Sequence, residues 1–274
     1  MHFIGYKVNF RNSIRKYLFF LNVFSIDIAI AGVSGFISVN KVFGLPQNPV
    51  LNVLLFIGIL LIYWLDHLQD IRKYGSRLSR RHYFLSKIKT RLIKTGLLLF
   101  ALSAAIAFYY LSLKVLLMGF FLLFVSLIYL ALHPYRFVPK EIFAASVYTA
   151  GIYFEVLFNL GFYQLFMMGY FLGLTLYAMY GIAWIEKATD KHFGVPNGVT
   201  AYNQNQTLFF LLLVMGIAFV FTPSTEIFKQ LIVSYLFLLV VLKSIFTLFK
   251  KQLKKRNWYR IAIEWSFLIP WICI

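Results

Sequence analysis

The chain has 274 residues, of which 61% are hydrophobic, 20% aromatic and 13% charged, with 27 Lys and Arg against nine Asp and Glu. A soluble domain is about 45–50% apolar and about 25% charged, so this composition excludes an ordinary soluble globule and indicates an all-α integral membrane protein. The formal charge of +18 lies between apolar runs, which assigns it to a membrane surface rather than to nucleic acid, and the single cysteine, Cys273, excludes an intramolecular disulfide and a cysteine-based zinc site.

In chain order, nine apolar segments are expected to cross the bilayer: 17–39, 50–66, 95–112, 115–132, 142–160, 165–185, 207–222, 230–249 and 258–274. Most are near the length of about 20 residues that spans the hydrocarbon core. The last carries Glu264 and Pro270 and is expected to tilt or to lie partly in the interface. No cleavable signal is expected, because the first run, starting near Tyr17, lacks a small-residue cleavage pattern.

Basic residues alternate across the spans. One side collects Lys7 to Lys16, Arg72 to Lys94, Arg136 with Lys140, Lys187 with Lys191, and Lys250 to Arg260, against Lys41, Lys114 and Lys229 on the other. The positive-inside rule then places the N-terminus in the cytoplasm and the C-terminus on the opposite side of a multi-pass protein, in a bacterial inner membrane. The two longest connections follow spans two and six. The chain is therefore read as one helical membrane domain over 1–274, with halves 17–132 and 142–249 and an extra helix 258–274.

Four of the nine acids form two matched pairs, Asp66 with Asp70 and Glu186 with Asp190, each at i, i+4 spacing and each at the end of an apolar span. On a helix such a pair points to one face. Any one acid is equally well explained by pairing with an adjacent base, but their matching places in the two halves favour a joint role. Magnesium binds through one or two carboxylates plus substrate phosphates, so all four are candidate metal ligands and catalytic residues. Arg72, Lys73, Lys140, Lys187 and Lys191 are candidate phosphate contacts, although each also fits an ordinary positive-inside residue. Among the aromatics near the motifs, Tyr129 and Tyr148 are candidates to face a cationic carbon or a polyprenyl chain. Asp27 is an intramembrane acid, expected on the acceptor side of a cavity or hydrogen-bonded to Ser34, Asn22 or a neighbouring helix. Glu155 and Glu264 raise the same question. His67 is read as interfacial, because magnesium prefers oxygen, and Arg80, Arg81 and His82 as headgroup contacts.

These residues resemble the UbiA-like intramembrane prenyltransferase superfamily, whose nine-helix members carry N-x-x-x-D-x-x-x-D at the end of the second helix and D-x-x-x-D at the end of the sixth. Asp66 and Asp70 match the first motif and Asp190 the last aspartate of the second, while Gly194 to Thr200 and Tyr129 to Lys140 resemble two further segments. Ile62 stands where the family has asparagine, and Glu186 replaces the leading aspartate. The resemblance implies a divergent enzyme that uses Mg2+ to move a polyprenyl group from its diphosphate to a lipophilic acceptor among membrane lipid. Ile62 and Glu186 motivate an alternative, a scaffold that binds or helps transport an isoprenoid lipid without turnover. An ion-coupled transporter using Asp27 and Glu155 is disfavoured, because the paired acids lie at one membrane face rather than near the midplane.

Overall fold

Backbone amides inside a bilayer have no water to bond with, so an apolar chain must satisfy them internally, and the α-helix does so within one segment. The computed structural model describes residues 10–76, 80–132, 140–159, 161–192, 205–208, 226–248 and 258–268. Its long elements are α1 (Phe10–Val23), α2 (Ile26–Val42), α3 (Pro49–Tyr74), α4 (Arg80–Lys87), α5 (Lys89–Tyr110), α6 (Leu113–Leu132), α7 (Lys140–Ile152), α8 (Phe162–His192), α9 (Glu226–Leu248) and α10 (Trp258–Ser266), with a 3-10 turn at Val156–Asn159. Among the described residues every regular element is helical.

Four described helices are long and apolar enough to cross a membrane: Pro49–Tyr74, Lys89–Tyr110, Leu113–Ala131 and Phe162–Lys187. The bent pair α1–α2 makes a fifth if it is one crossing. These helices point to a membrane protein. Of the nine expected spans, the seventh lies almost wholly outside the described residues, as do 269–274 of the ninth and the segments 133–139 and 193–204.

The first expected span is broken. Its two pieces meet at 76°, and Ser25 between them has φ 58°, the left-handed region that a non-glycine residue rarely occupies. Polar side chains bridge the break. The Asn22 amide donates to Asp27 Oδ2 at 3.0 Å and to Glu264 Oε2 of α10 at 2.5 Å. The carbonyl of Phe24, freed by the bend, accepts from Trp64 Nε1 of α3 at 2.9 Å. A buried carbonyl left unpaired would cost about 1–3 kcal/mol, so the Trp64 bond helps hold the bend.

The second expected span runs two turns further than 66. Asn48 caps α3 by accepting from Val50 N at 3.0 Å and Leu51 N at 3.4 Å, with Pro49 in the first turn. No breaker then intervenes before Gly75, whose φ of 87° ends the helix. Its 26 residues are about 39 Å long at about 1.5 Å per residue, more than the roughly 30 Å hydrocarbon layer. The excess carries Asp66 and Asp70. Helix α8, with 31 residues, overruns in the same way and carries Glu186.

Helix α2 is central: it packs on α3, α7, α9 and α10, and α8 closes on α7. Gly32 permits this, because a β-carbon there would collide with Ile59 of α3 and press on Tyr148 of α7. The core beside it is aromatic, with Tyr153, Tyr170 and Tyr235 buried and the Tyr153 and Tyr235 hydroxyls 3.1 Å apart. Lipid is as apolar as leucine, so such packing and bonding hold helices together in a membrane where hydrophobic burial does not.

Candidate functional site

The α3 register sets the site. Residues 63, 66, 67 and 70 fall on one face at i, i+3, i+4 and i+7, and all four line a cavity of about 880 Å³. Helix α4 brings Arg81 and His82 to the same cavity. From the far side α8 contributes Glu186, and α10 contributes Arg260 and Glu264. The rest of the wall is apolar, from residues such as Leu97, Phe100, Phe120 and Leu123 of α5 and α6.

Asp66, Asp70 and Glu186, predicted as a group, thus share one cavity. Glu186 is engaged: Arg260 Nε donates to Oε1 at 2.6 Å and Nη2 to Oε2 at 2.5 Å, a bidentate fork. The Asp190 backbone continues α8, but its side chain lies outside the described residues, as do those of Lys140 and Lys191.

Around Asp70 the neighbours are imidazoles. His82 Nε2 lies 3.7 Å from Asp70 Oδ2, with side-chain exposures of 6% and 13%. The His67 and His82 rings meet edge to face at 5.5 Å between centroids. Donor atoms of His67, Asp70 and His82 all lie within 4.8 Å of one another. Ser25 Oγ, at the α1–α2 bend, is 3.4 Å from His67 Nε2. Burial lowers the His82 pKa, which Asp70 opposes and Arg81 reinforces. Burial also lowers that of Arg81, and Arg260 pushes the same way, while Glu264, Glu186 and Asp27 counter both.

Tyr129 and Tyr148 line the cavity, Tyr129 stacked on Phe143 at 5.3 Å. Several expectations need correction. Arg72, Lys73 and Lys187 are exposed and do not line the cavity, and Lys73 Nζ sits 5.0 Å from its neighbour's ring at Tyr74. They lie on the outer face of their helices, where a long basic chain stays solvated. Asp27 is 3% exposed and stands behind the cavity wall, held by Asn22, which resolves its open alternatives. Glu155 pairs with the Asn40 side chain, away from this site. His67, Arg81 and His82, read as interfacial or headgroup residues, are buried cavity residues at 3%, 8% and 5% exposure. From sequence, Arg260 counts only toward the positive-inside charge and Glu264 is an acid of open role. The helical spacing of Arg260 and Glu264, i and i+4, was the one local signal of a shared face.

Against this geometry, no protein-family model, no curated protein and no solved structure matches the chain.

Proposed function

We propose that the cavity holds an isoprenoid diphosphate and that the protein is a divergent intramembrane prenyltransferase, of the UbiA-like kind that the motifs resemble. One observation carries this reading: Asp66, Asp70, Glu186 and Glu264 share with Arg81, Arg260, His67 and His82 a cavity most of whose other lining residues are apolar. An anionic head group on a long apolar tail matches that division. Arg81 and Arg260 are the guanidinium groups available to grip the diphosphate, and Arg suits planar, bidentate phosphate contacts. In this reading Arg260 exchanges its Glu186 partner for a phosphate. The N-terminus and the paired acids face the cytoplasm, as the charge bias requires.

The donor set bears on magnesium. Asp66 and Asp70 suit its need for one or two carboxylates beside phosphate oxygens, whereas both Glu186 oxygens are taken by Arg260. When bound, the ion would neutralise charge on the departing diphosphate. In the transfer, the bond between the allylic carbon and the diphosphate oxygen breaks and its electron pair leaves with the diphosphate. The acceptor forms a new bond to that carbon and its proton passes to the released diphosphate. Tyr129 and Tyr148 line the cavity, and an aromatic face there would stabilise a developing cationic carbon. The apolar wall keeps water from intercepting it.

Incubation of purified protein with labelled polyprenyl diphosphates, magnesium and a membrane extract tests this. A prenylated product, lost in the Asp66→Ala, Asp70→Ala double variant, is expected. Identical products from both proteins would overturn the assignment. A second reading, lipid binding without turnover, is favoured by the Glu186–Arg260 fork, which occupies a carboxylate that catalysis would need. It predicts saturable binding that survives chelation, with no product.

A further inference from the structure

We propose that His67, Asp70 and His82 form a binding site for a late divalent metal ion of the zinc class at the junction of α3 and α4. The site shares Asp70 with the carboxylate pair offered to magnesium above, so the two ions compete for that side chain and the titration below separates them. Residues 67 and 70 are one helical turn apart on α3, and α4 places His82 beside them. The donor atoms of the three lie within 4.8 Å of one another. A tetrahedral ion with arms of about 2.1 Å places its donors about 3.4 Å apart. The His82–Asp70 approach of 3.7 Å is already near that value, and rotation about side-chain bonds closes the remainder.

Donor chemistry selects the ion. Two imidazoles with one carboxylate suit zinc, iron or nickel, whereas magnesium takes oxygen. Three protein ligands leave one position open, the pattern of a reactive rather than a structural zinc site. Because all three residues line the cavity, that position belongs to whatever ligand the cavity receives, such as an oxygen of an anionic head group. An outer shell is also in place. Ser25 Oγ, 3.4 Å from His67 Nε2, orients that ring. The strained backbone at Ser25, φ 58°, thereby gains a role: it brings the bend of α1–α2 onto the metal ligand.

The test uses the full-length protein in detergent, stripped with a chelator and titrated with zinc against a chromophoric competitor. One zinc per chain is expected, retained in millimolar magnesium. His67→Gln and His82→Gln should each weaken zinc binding by more than the roughly 10–100-fold that loss of an outer-shell partner costs, and Ser25→Ala by about tenfold. Asp66→Asn should keep the zinc. If that variant loses turnover, the zinc site and the prenyl-transfer reading are separated. X-ray absorption on zinc-loaded wild type should show scattering from two imidazoles, and it decides the matter even if the histidine variants misfold. Sub-stoichiometric zinc, displacement by magnesium, or absence of imidazole scattering would overturn the proposal.

Discussion

Helix α5 buries only 6% of its apolar window, whereas α8 buries 50%. Both are long and apolar, yet they serve different solvents. Along α5, Leu98, Tyr109 and Tyr110 are 60%, 81% and 64% exposed, and Leu92 is its one buried side chain. Along α8, Tyr170, Phe171 and Leu174 are almost fully enclosed. In water such a face as that of α5 would drive aggregation. In lipid it costs nothing, and the helix needs few protein neighbours. The buried ionisable groups gather instead where α3, α4, α8 and α10 converge, because a charge facing hydrocarbon is penalised and must find partners inside. The contrast separates the outer face of α5 from the buried groups, while the other side of α5 lines the cavity.

Truncations sharpen that contrast. Leu174→Ala empties space in the 0%-exposed core and should destabilise by about 2–5 kcal/mol, read as a lowered thermal midpoint in detergent. Glu186→Gln leaves the Arg260 guanidinium with a neutral partner. Since both groups are about a quarter exposed, the expected loss is about 1–2 kcal/mol, discounted for solvent screening, and it should shrink in high salt. Trp64→Phe removes the donor to Phe24 O and should cost about 1 kcal/mol, with faster hydrogen exchange around residues 23–26 as its local signature. Leu98→Ala, on the lipid face, should stay within about 0.5 kcal/mol of wild type. A loss there as large as at Leu174 would remove the distinction between the two helices.

How much of this was legible in the sequence differs by region for a physical reason. The presence of α3 and α8, and the shared face of the acids toward their C-terminal ends, follow from local pattern, since apolar runs and i, i+4 spacing are properties of one segment; how far each helix runs past its apolar stretch does not. The contacts around the bend at Ser25 are not local: the Asn22 amide bonds Glu264, 242 positions away, and Phe24 O is satisfied by Trp64, 40 away. Charge counting also treats every Arg and Lys between spans alike. It assigned Arg81 and Arg260 to the surface because it registers the side of the membrane, and it carries no information on whether a side chain turns toward lipid headgroups or into the bundle. His67 was read through the metal that the paired acids suggested. Only the packing of α4 on α3 reveals a second imidazole beside it.

The account depends on the tail of a ligand lying along the α5–α6 wall while its head meets Arg81 and Arg260. A polyprenyl diphosphate carrying a photoreactive group on its tail, cross-linked to the purified protein and mapped by mass spectrometry, measures this directly. The account predicts adducts on cavity residues such as Leu97, Phe100 and Phe120, suppressed by excess unlabelled ligand and by the Arg81→Gln, Arg260→Gln pair. Unsaturable labelling confined to lipid-facing residues such as Leu98 and Phe121, indifferent to those substitutions, would contradict it.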